Sequence, residues 1–85
     1  MMILAVFRSR AHTLDFAERL QAHGIEAAVV STPKEARIGC GVCVRFSLRH
    51  FSRAQSLLKM GKYSSFKGFY KTEFSGGAPT ARPFG

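Results

Sequence analysis

The apolar stretch MILAVF, residues 2–7, predicts the central strand of the fold. Every position in it is apolar, as in a strand that is buried on both faces. The run is too short to span a membrane, and Arg8 and Arg10 close it. It also lacks the basic start and the small-residue cleavage site of a signal peptide. A buried first strand is therefore the interpretation that fits residues 2–7.

The segments that follow this strand predict the architecture. RAHTLDFAERLQAHG (10–24) has helical periodicity, with Ser9 placed to cap the helix and Gly24 to end it. A second helix is predicted at HFSRAQSLLKMG (50–61), and three further strands at IEAAVV (25–30), VCVRFSL (42–48) and SFKGFYKTEF (65–74). The order β-α-β-β-α-β is typical of an α+β ferredoxin-like sandwich, a four-stranded antiparallel sheet with both helices on one face.

Only the end of the chain lacks such patterns. SGGAPTARPFG (75–85) has no periodicity and is predicted to be a flexible tail. Residues 1–74 of the 85-residue chain are then one domain with a single core.

The chain is strongly basic, with 13 lysines and arginines, 5 acidic residues and a net charge of +8. The positive residues are spread over helices, strands and loops instead of forming one run, which weakens the case for nucleic-acid binding. Such a surface also suits an acidic protein partner, an anionic small group, or solvent alone. Two cysteines so close together cannot staple a secreted protein of this size, so a reducing, cytoplasmic location is expected.

Cys40 and Cys43 lie in RIGCGVCVRF (37–46), and their C-x-x-C spacing allows three interpretations. A dithiol redox centre needs its first cysteine at the start of a helix, whereas GVCVRF (41–46) has the pattern of a strand. Extended chain would hold the two α-carbons about 10 Å apart, beyond disulfide reach, with the side chains on opposite faces. A metal site needs a second pair of ligands, which this chain lacks, so only a metal that bridges two copies stays open. The third interpretation is a single exposed, activated thiol at Cys40.

The predicted topology gives Cys40 a specific environment. The start of the third strand lies at the same end of the sheet as the ends of the first two strands and the start of the first helix. Cationic neighbours there would favour a thiolate, and the candidates are Arg8, Arg10, His12, Lys34, Arg37 and Lys62. Gly39 and Gly41 leave room for another protein to approach the sulfur. Cys43, inside a strand, is expected to be a small buried hydrophobe.

The segment STPKEARIGCGVCVRF (31–46) resembles the signature of the selenium/sulfur carrier protein-like family of small bacterial domains. The resemblance extends over roughly residues 2–72 and includes KGFYKT (67–72). The Thr-Pro, basic-loop and Cys-Gly pattern is matched at Thr32, Pro33, Lys34, Arg37, Cys40 and Gly41.

This resemblance implies that Cys40 carries sulfur or selenium as a persulfide or perselenide. The atom would come from a donor protein such as a cysteine desulfurase and go to an acceptor protein, with no cofactor or metal in the carrier. Members of the family usually have one cysteine in this loop, so a resolving or protective role stays open for Cys43.

The predicted site has two parts. The reactive part is the thiol of Cys40 with Gly39, Gly41 and Cys43 beside it. The binding part comprises Thr32, Pro33, Lys34, Arg37, Arg8, Arg10 and His12. The sequence has no Ser/His/Asp arrangement, Walker loop or paired carboxylates, so we expect a carrier or binding protein instead of an enzyme.

Two other functions remain as alternatives. KGFYKTEF (67–74) partly resembles the RNP1 motif of RNA-recognition domains, although it lies on the fourth strand and that motif belongs on the third. The matching residues are Lys67, Gly68, Phe69 and Phe74, and they point to a basic, ferredoxin-like nucleic-acid-binding module. The other alternative is a regulatory module that dimerises through an open sheet face carrying Cys43 and Arg45.

Overall fold

The computed structural model describes residues 1–36 and 40–85, and within the last two strands it leaves out the side chains of residues 74, 75, 78 and 79. The described residues form five strands and two α-helices. In chain order they are β1 (Met2–Phe7), α1 (Arg10–Ala22), β2 (Ala27–Ser31), β3 (Val42–Ser47), α2 (Phe51–Gly61), β4 (Phe66–Ser75) and β5 (Ala78–Phe84). Short 3₁₀ turns at Lys34–Ala36 and Leu48–His50 precede β3 and α2, respectively.

One antiparallel sheet contains all five strands in the order β2-β3-β1-β4-β5. β1 is central, and its Ala5 is opposite Val44 of β3 on one side and Phe69 of β4 on the other. The α+β class, the antiparallel sheet and the two helices are therefore confirmed. The predicted four-stranded sheet is wrong, because a fifth strand pairs with β4 at one edge and gives a five-stranded order, β2-β3-β1-β4-β5.

The fifth strand comes from the segment that was predicted to be a tail. Gly76 and Gly77 both have positive φ, 61° and 82°, and form the two-residue turn of a hairpin between β4 and β5. Sequence analysis did not predict this strand because it contains prolines, which are tolerated in a strand only at a sheet edge or a bulge. Residues 78–84 are therefore a strand, and the prediction of a tail over 75–85 is wrong for them.

Both helices pack on the same face of the sheet. Ile3, Ala5 and Phe7 of β1 form one core there with the buried residues of the helices, which include Phe16, Leu20, Ala54 and Leu57. The buried face of α1 does not include all of its large apolar residues. Leu14 is 42% exposed, and Thr13 is buried instead.

The second face of the sheet is also covered. Leu4, Val6 and Cys43 are buried there against Ala36 of the 3₁₀ turn at Lys34–Ala36 and Ala81 of β5. The 3₁₀ turn at Lys34–Ala36 thus lies across this face, where β5 contacts it. The open face predicted around Cys43 is therefore wrong at these positions, although Arg45 on the same face is exposed.

The packing of β5 can be tested at Phe84, whose ring contacts Phe51 edge-on with the centroids 5.0 Å apart. We expect Phe84→Ala to lower the free energy of unfolding by about 1–3 kcal/mol, because this half-buried ring leaves the core. Arg82→Ala on the same strand is the control, since an exposed ion pair contributes about 0–1 kcal/mol. Denaturant unfolding of the two variants gives both values. Equal, negligible losses would contradict a packed β5.

Candidate functional site

Cys40 lies at the end of the sheet where β1 and β2 end and β3 and β4 begin. The register shows this arrangement, because Val30 near the end of β2 is opposite Cys43 near the start of β3, and Phe7 is opposite Phe66. The predicted meeting of these strand ends is therefore confirmed. Thr32 holds the loop backbone there, with its N–H donating to the Gly41 carbonyl at 2.9 Å and its hydroxyl to the Cys40 carbonyl at 3.4 Å.

Cys40 is partly exposed, and among the described residues its sulfur has three polar neighbours. Its Sγ lies 3.5 Å from the carbonyl oxygen of Phe7 and 3.3 Å from that of Val42, and both oxygens can accept from the thiol. The third neighbour is the hydroxyl of Thr13, 3.6 Å away, where either group can be the donor. The sulfur is therefore held between the end of β1 and the first part of α1.

Thr13 reaches the sulfur because the N-terminus of α1 is firmly capped. The side chain of Ser9 accepts from the His12 N–H at 3.1 Å, as predicted for the cap. The Thr13 hydroxyl donates to the Ser9 carbonyl at 3.0 Å, and Thr13 is fully buried. Sequence reasoning missed Thr13, although a threonine on the apolar face of a helix, one turn after its cap, is a recognisable signal.

Ser65 also supports this end of the helix and had no sequence signal. Its hydroxyl accepts from the Ser9 N–H at 3.2 Å and lies 2.6 Å from Nδ1 of His12, while its carbonyl accepts from the Arg8 N–H at 2.8 Å. The start of β4 and the start of α1 are thereby joined beside Cys40. His12 is used in this structural network and makes no hydrogen bond to the sulfur within the described part of the chain.

The other predicted site residues occupy the same loop or the same end of the sheet. Arg8, Arg10, Lys34 and Lys62 are exposed, and Pro33 is half-buried. Among residues 1–36 and 40–85, ion pairs form only from Arg19 to Asp15 and from Lys71 and Arg82 to Glu73. The cations near the site therefore remain available to solvent or a partner. Arg37 and Gly39 lie outside the described residues.

Gly41 leaves open space beside Cys40. It is exposed, and a Cβ built on it would have no heavy atom within 4 Å. A partner surface can therefore come close to the loop on this side. That Gly41 gives access to the sulfur stays a prediction.

Cys43 has a very different environment, although it is only three residues away. It is fully buried on the second face of the sheet, and burial raises the pKa of its thiol despite an opposing hydrogen bond with Thr32. Both cysteines are free thiols. As expected, Cys43 packs as a small hydrophobe, and it is not accessible to a second protein in this conformation.

Of the two aromatic residues in the RNA-binding alternative, Phe69 is buried, and the side chain of Phe74 lies outside the described residues. Phe69 is 8% exposed, and its ring contacts those of Phe46, Phe51 and Phe66. It cannot stack on a nucleotide base while it forms part of this core.

Two structural features are absent from residues 1–36 and 40–85. No three histidine, cysteine or acidic side chains come together as metal ligands. No α-helix in these residues is long and apolar enough to cross a membrane.

Fold and site together define a small α+β protein with one accessible cysteine at the end of its sheet. A family model described as "Putative Se/S carrier protein-like" matches residues 2–71, and the chain belongs to this family. The match confirms the resemblance inferred from the Thr-Pro and Cys-Gly pattern. No curated protein and no solved structure shows significant similarity to the chain.

The contrast between the two cysteines predicts selective alkylation. Iodoacetamide at pH 7.5 should modify Cys40 in the folded protein and spare Cys43, because thiolate is the reactive form and burial with a raised pKa disfavours it at Cys43. Peptide mass mapping before and after unfolding in guanidinium chloride measures both sites. Rapid modification of Cys43 in the native protein would contradict the buried environment.

Proposed function

We propose that this protein carries sulfur or selenium on Cys40, as a persulfide or perselenide, and passes the atom to a partner protein. The observation that carries the proposal is that Cys40 is partly exposed next to an exposed glycine, Gly41, whereas Cys43 is buried. Membership of the carrier-like family supports the same function. The donor would be a protein such as a cysteine desulfurase, and the compartment a reducing cytoplasm.

The transfer is a thiol exchange that needs no added oxidant. The Cys40 thiolate attacks the outer sulfur of a donor persulfide, the sulfur–sulfur bond of the donor breaks, and the donor cysteine leaves as a thiolate. Cys40 then bears the outer sulfur. In the second step a nucleophile of the acceptor attacks this outer sulfur, and Cys40 leaves as a thiolate. A perselenide follows the same sequence with selenium as the outer atom.

Thr13 is suited to assist this exchange. In the structure its hydroxyl donates to the Ser9 carbonyl and can accept from the Cys40 thiol. When the sulfur becomes negatively charged, the hydroxyl can rotate and donate to it, because the backbone N–H of Thr13 still bonds the Ser9 carbonyl at 3.1 Å. The positive end of the α1 dipole also lies at this turn and favours a negative charge. Thr13 therefore acts as a positioning residue for the sulfur.

Exposed positive charge supports the docking of an acidic partner at this end of the molecule. Arg8, Arg10 and Lys34 are exposed and form no ion pair with a described residue. Complementary charge speeds the encounter of two proteins and orients them more than it adds affinity. A carrier that must meet two partners in succession benefits from fast, weak encounters.

The proposal can be tested with a cysteine desulfurase and either cysteine or selenocysteine as the source. Non-reducing mass spectrometry should find a single added sulfur or selenium on Cys40, released by a thiol such as dithiothreitol. Cys40→Ser should abolish the adduct and leave the fold intact, because a hydroxyl can still donate to the Phe7 and Val42 carbonyls.

Cys43→Ala is the matched control for this experiment, since it removes the other cysteine of the chain without opening the site. It should take up sulfur at the rate of the unchanged protein. A wild-type Cys40 that iodoacetamide alkylates, but that never receives sulfur or selenium, would contradict the carrier function.

The role of Thr13 gives a separate kinetic prediction. Thr13→Val keeps the shape of the side chain and removes the hydroxyl, so we expect sulfur uptake by Cys40 to slow about tenfold, the effect of losing a hydrogen bond to a charged group. Thr13→Ser should restore most of the rate. Stopped-flow mixing with a donor persulfide measures uptake, and circular dichroism checks the fold. Equal rates for the Val and Ser variants would assign Thr13 a purely structural role.

A further inference from the structure

The free edge of β2 has the features of a docking strand. β2 is an outer strand of the sheet, and its sequence AAVVS contains no charge and no proline. Its Val29 is 39% exposed. The opposite edge, β5, carries two prolines and an arginine, which block strand addition. β2 has none of these protective residues.

The hydrogen-bonding pattern identifies which backbone groups of β2 point outward. Thr32 donates its N–H inward to the Gly41 carbonyl, and paired residues alternate along an antiparallel strand. Ala27, Val29 and Ser31 therefore direct their N–H and C=O groups away from β3. The side-chain amide of Gln21 donates a hydrogen bond to the Ala27 carbonyl at 2.9 Å. Within the described chain, the outward groups of Val29 and Ser31 have no such partner.

Two basic grooves run beside β2 on the second face of the sheet. The first, of about 510 Å³, is lined by Ala28 of β2 and by Arg45, Arg49 and His50. The second, of about 500 Å³, is lined by Val30 of β2 and by Arg45, Lys34 and Leu4, among others. Each groove also has one glutamate, Glu26 or Glu35, so both keep a positive balance.

The spacing of the grooves matches the side chains of one extended strand. Ala28 and Val30 are two residues apart, which is about 7 Å along a strand. Side chains two residues apart on an incoming strand point to the same face and have the same spacing. Strand addition of this kind obtains affinity from backbone hydrogen bonds and specificity from pockets for alternate side chains.

We propose that the β2 edge binds an extended, acidic segment of a partner protein as a sixth strand. Acidic side chains at alternate positions would enter the two grooves beside Arg45. A second copy of this chain is a poorer occupant, because it would bring Arg45, Arg49 and Lys34 of both copies together. The proposal rests on the proposed function only for the identity of the partner, a sulfur donor or acceptor.

The location of this edge suits delivery to Cys40. Thr32, at the end of β2, is bonded to the backbone of Cys40 and Gly41. A strand added outside β2 lies about two strand spacings, roughly 10 Å, from β3. Three residues of extended chain cover this distance. A reactive cysteine can therefore reach the sulfur if it lies shortly before a segment docked antiparallel to β2, or shortly after one docked parallel to it.

The test uses an acetylated, amidated peptide, Thr-Glu-Val-Glu-Val-Thr, and isothermal titration calorimetry. Two isomers carry N-methyl groups, one on both glutamates and the other on both valines. Only one set of amides can face β2, so the isomers should differ in affinity by about tenfold or more, the combined effect of two lost hydrogen bonds. In antiparallel addition the valine isomer is the weaker one. Equal affinities for the two isomers, or no binding of the parent peptide, would overturn the proposal.

Charge and oligomeric state give two further readouts. Arg45→Gln should weaken the parent peptide about two- to fivefold, whereas Lys59→Gln, on an exposed position of α2, should leave binding unchanged. Equal effects of the two substitutions would overturn the assigned groove. A stable dimer in sedimentation, dissociated by the peptide, would assign the edge to a second copy and overturn the heterologous partner.

The Cys40→Ser variant separates this proposal from the proposed function. It should bind the peptide with the affinity of the unchanged protein, because no docking contact involves the sulfur. Peptide binding without any sulfur transfer would leave the docking edge standing and remove the carrier function. Sulfur transfer without peptide binding would support the carrier function and overturn the docking edge.

Discussion

The burial of β1 on both faces is the constraint on which the rest of the structure depends. Residues 3–7 are all fully or almost fully buried, alternating between a core under the helices and a core under the loop that joins β2 to β3. A strand of this kind must be central, so β3 and β4 flank it. Its last residue, Phe7, links core and site. The ring packs against Phe16, Tyr63 and Phe66, while its carbonyl oxygen contacts Cys40.

The connection between β2 and β3 has both a structural and a chemical role. Ala36 covers the second face of the sheet near β5, and a few residues later Cys40 reaches the end of β1 and the start of α1. Thr32 contacts both regions. It donates hydrogen bonds to the backbone carbonyls of Cys40 and Gly41, and its side chain forms a hydrogen bond with Cys43. A change in this loop would therefore alter both the packing of the second face and the position of the Cys40 sulfur.

Sequence patterns predicted most of the fold, because local periodicity and caps decide most of its elements. MILAVF, the Ser9 cap and the alternation of residues 42–47 led directly to β1, α1 and β3. β5 was not predicted, because its two prolines are unfavourable in most strands and are tolerated here only because β5 lies at the edge of the sheet. Gly76-Gly77 is a hairpin signal that could have indicated it. The glycines around Cys40 and its family pattern predict that Cys40 is the reactive thiol. Thr13 and Ser65 were not predicted, because contacts between distant segments place them beside the sulfur.

The two cysteines show how strand geometry can assign different chemistry to neighbouring thiols. Cys43 is on β3, and its side chain packs in a buried apolar cluster. Burial there raises the pKa of the Cys43 thiol and excludes reagents. Cys40 precedes the strand, so its sulfur meets the end of β1 and the capped turn of α1, and the glycine after it leaves the approach open. A disulfide between them would have to pull one sulfur through the sheet. The C-x-x-C spacing therefore does not form a redox pair in this fold, and a chalcogen held on Cys40 would have no neighbouring thiol to release it before an acceptor arrives.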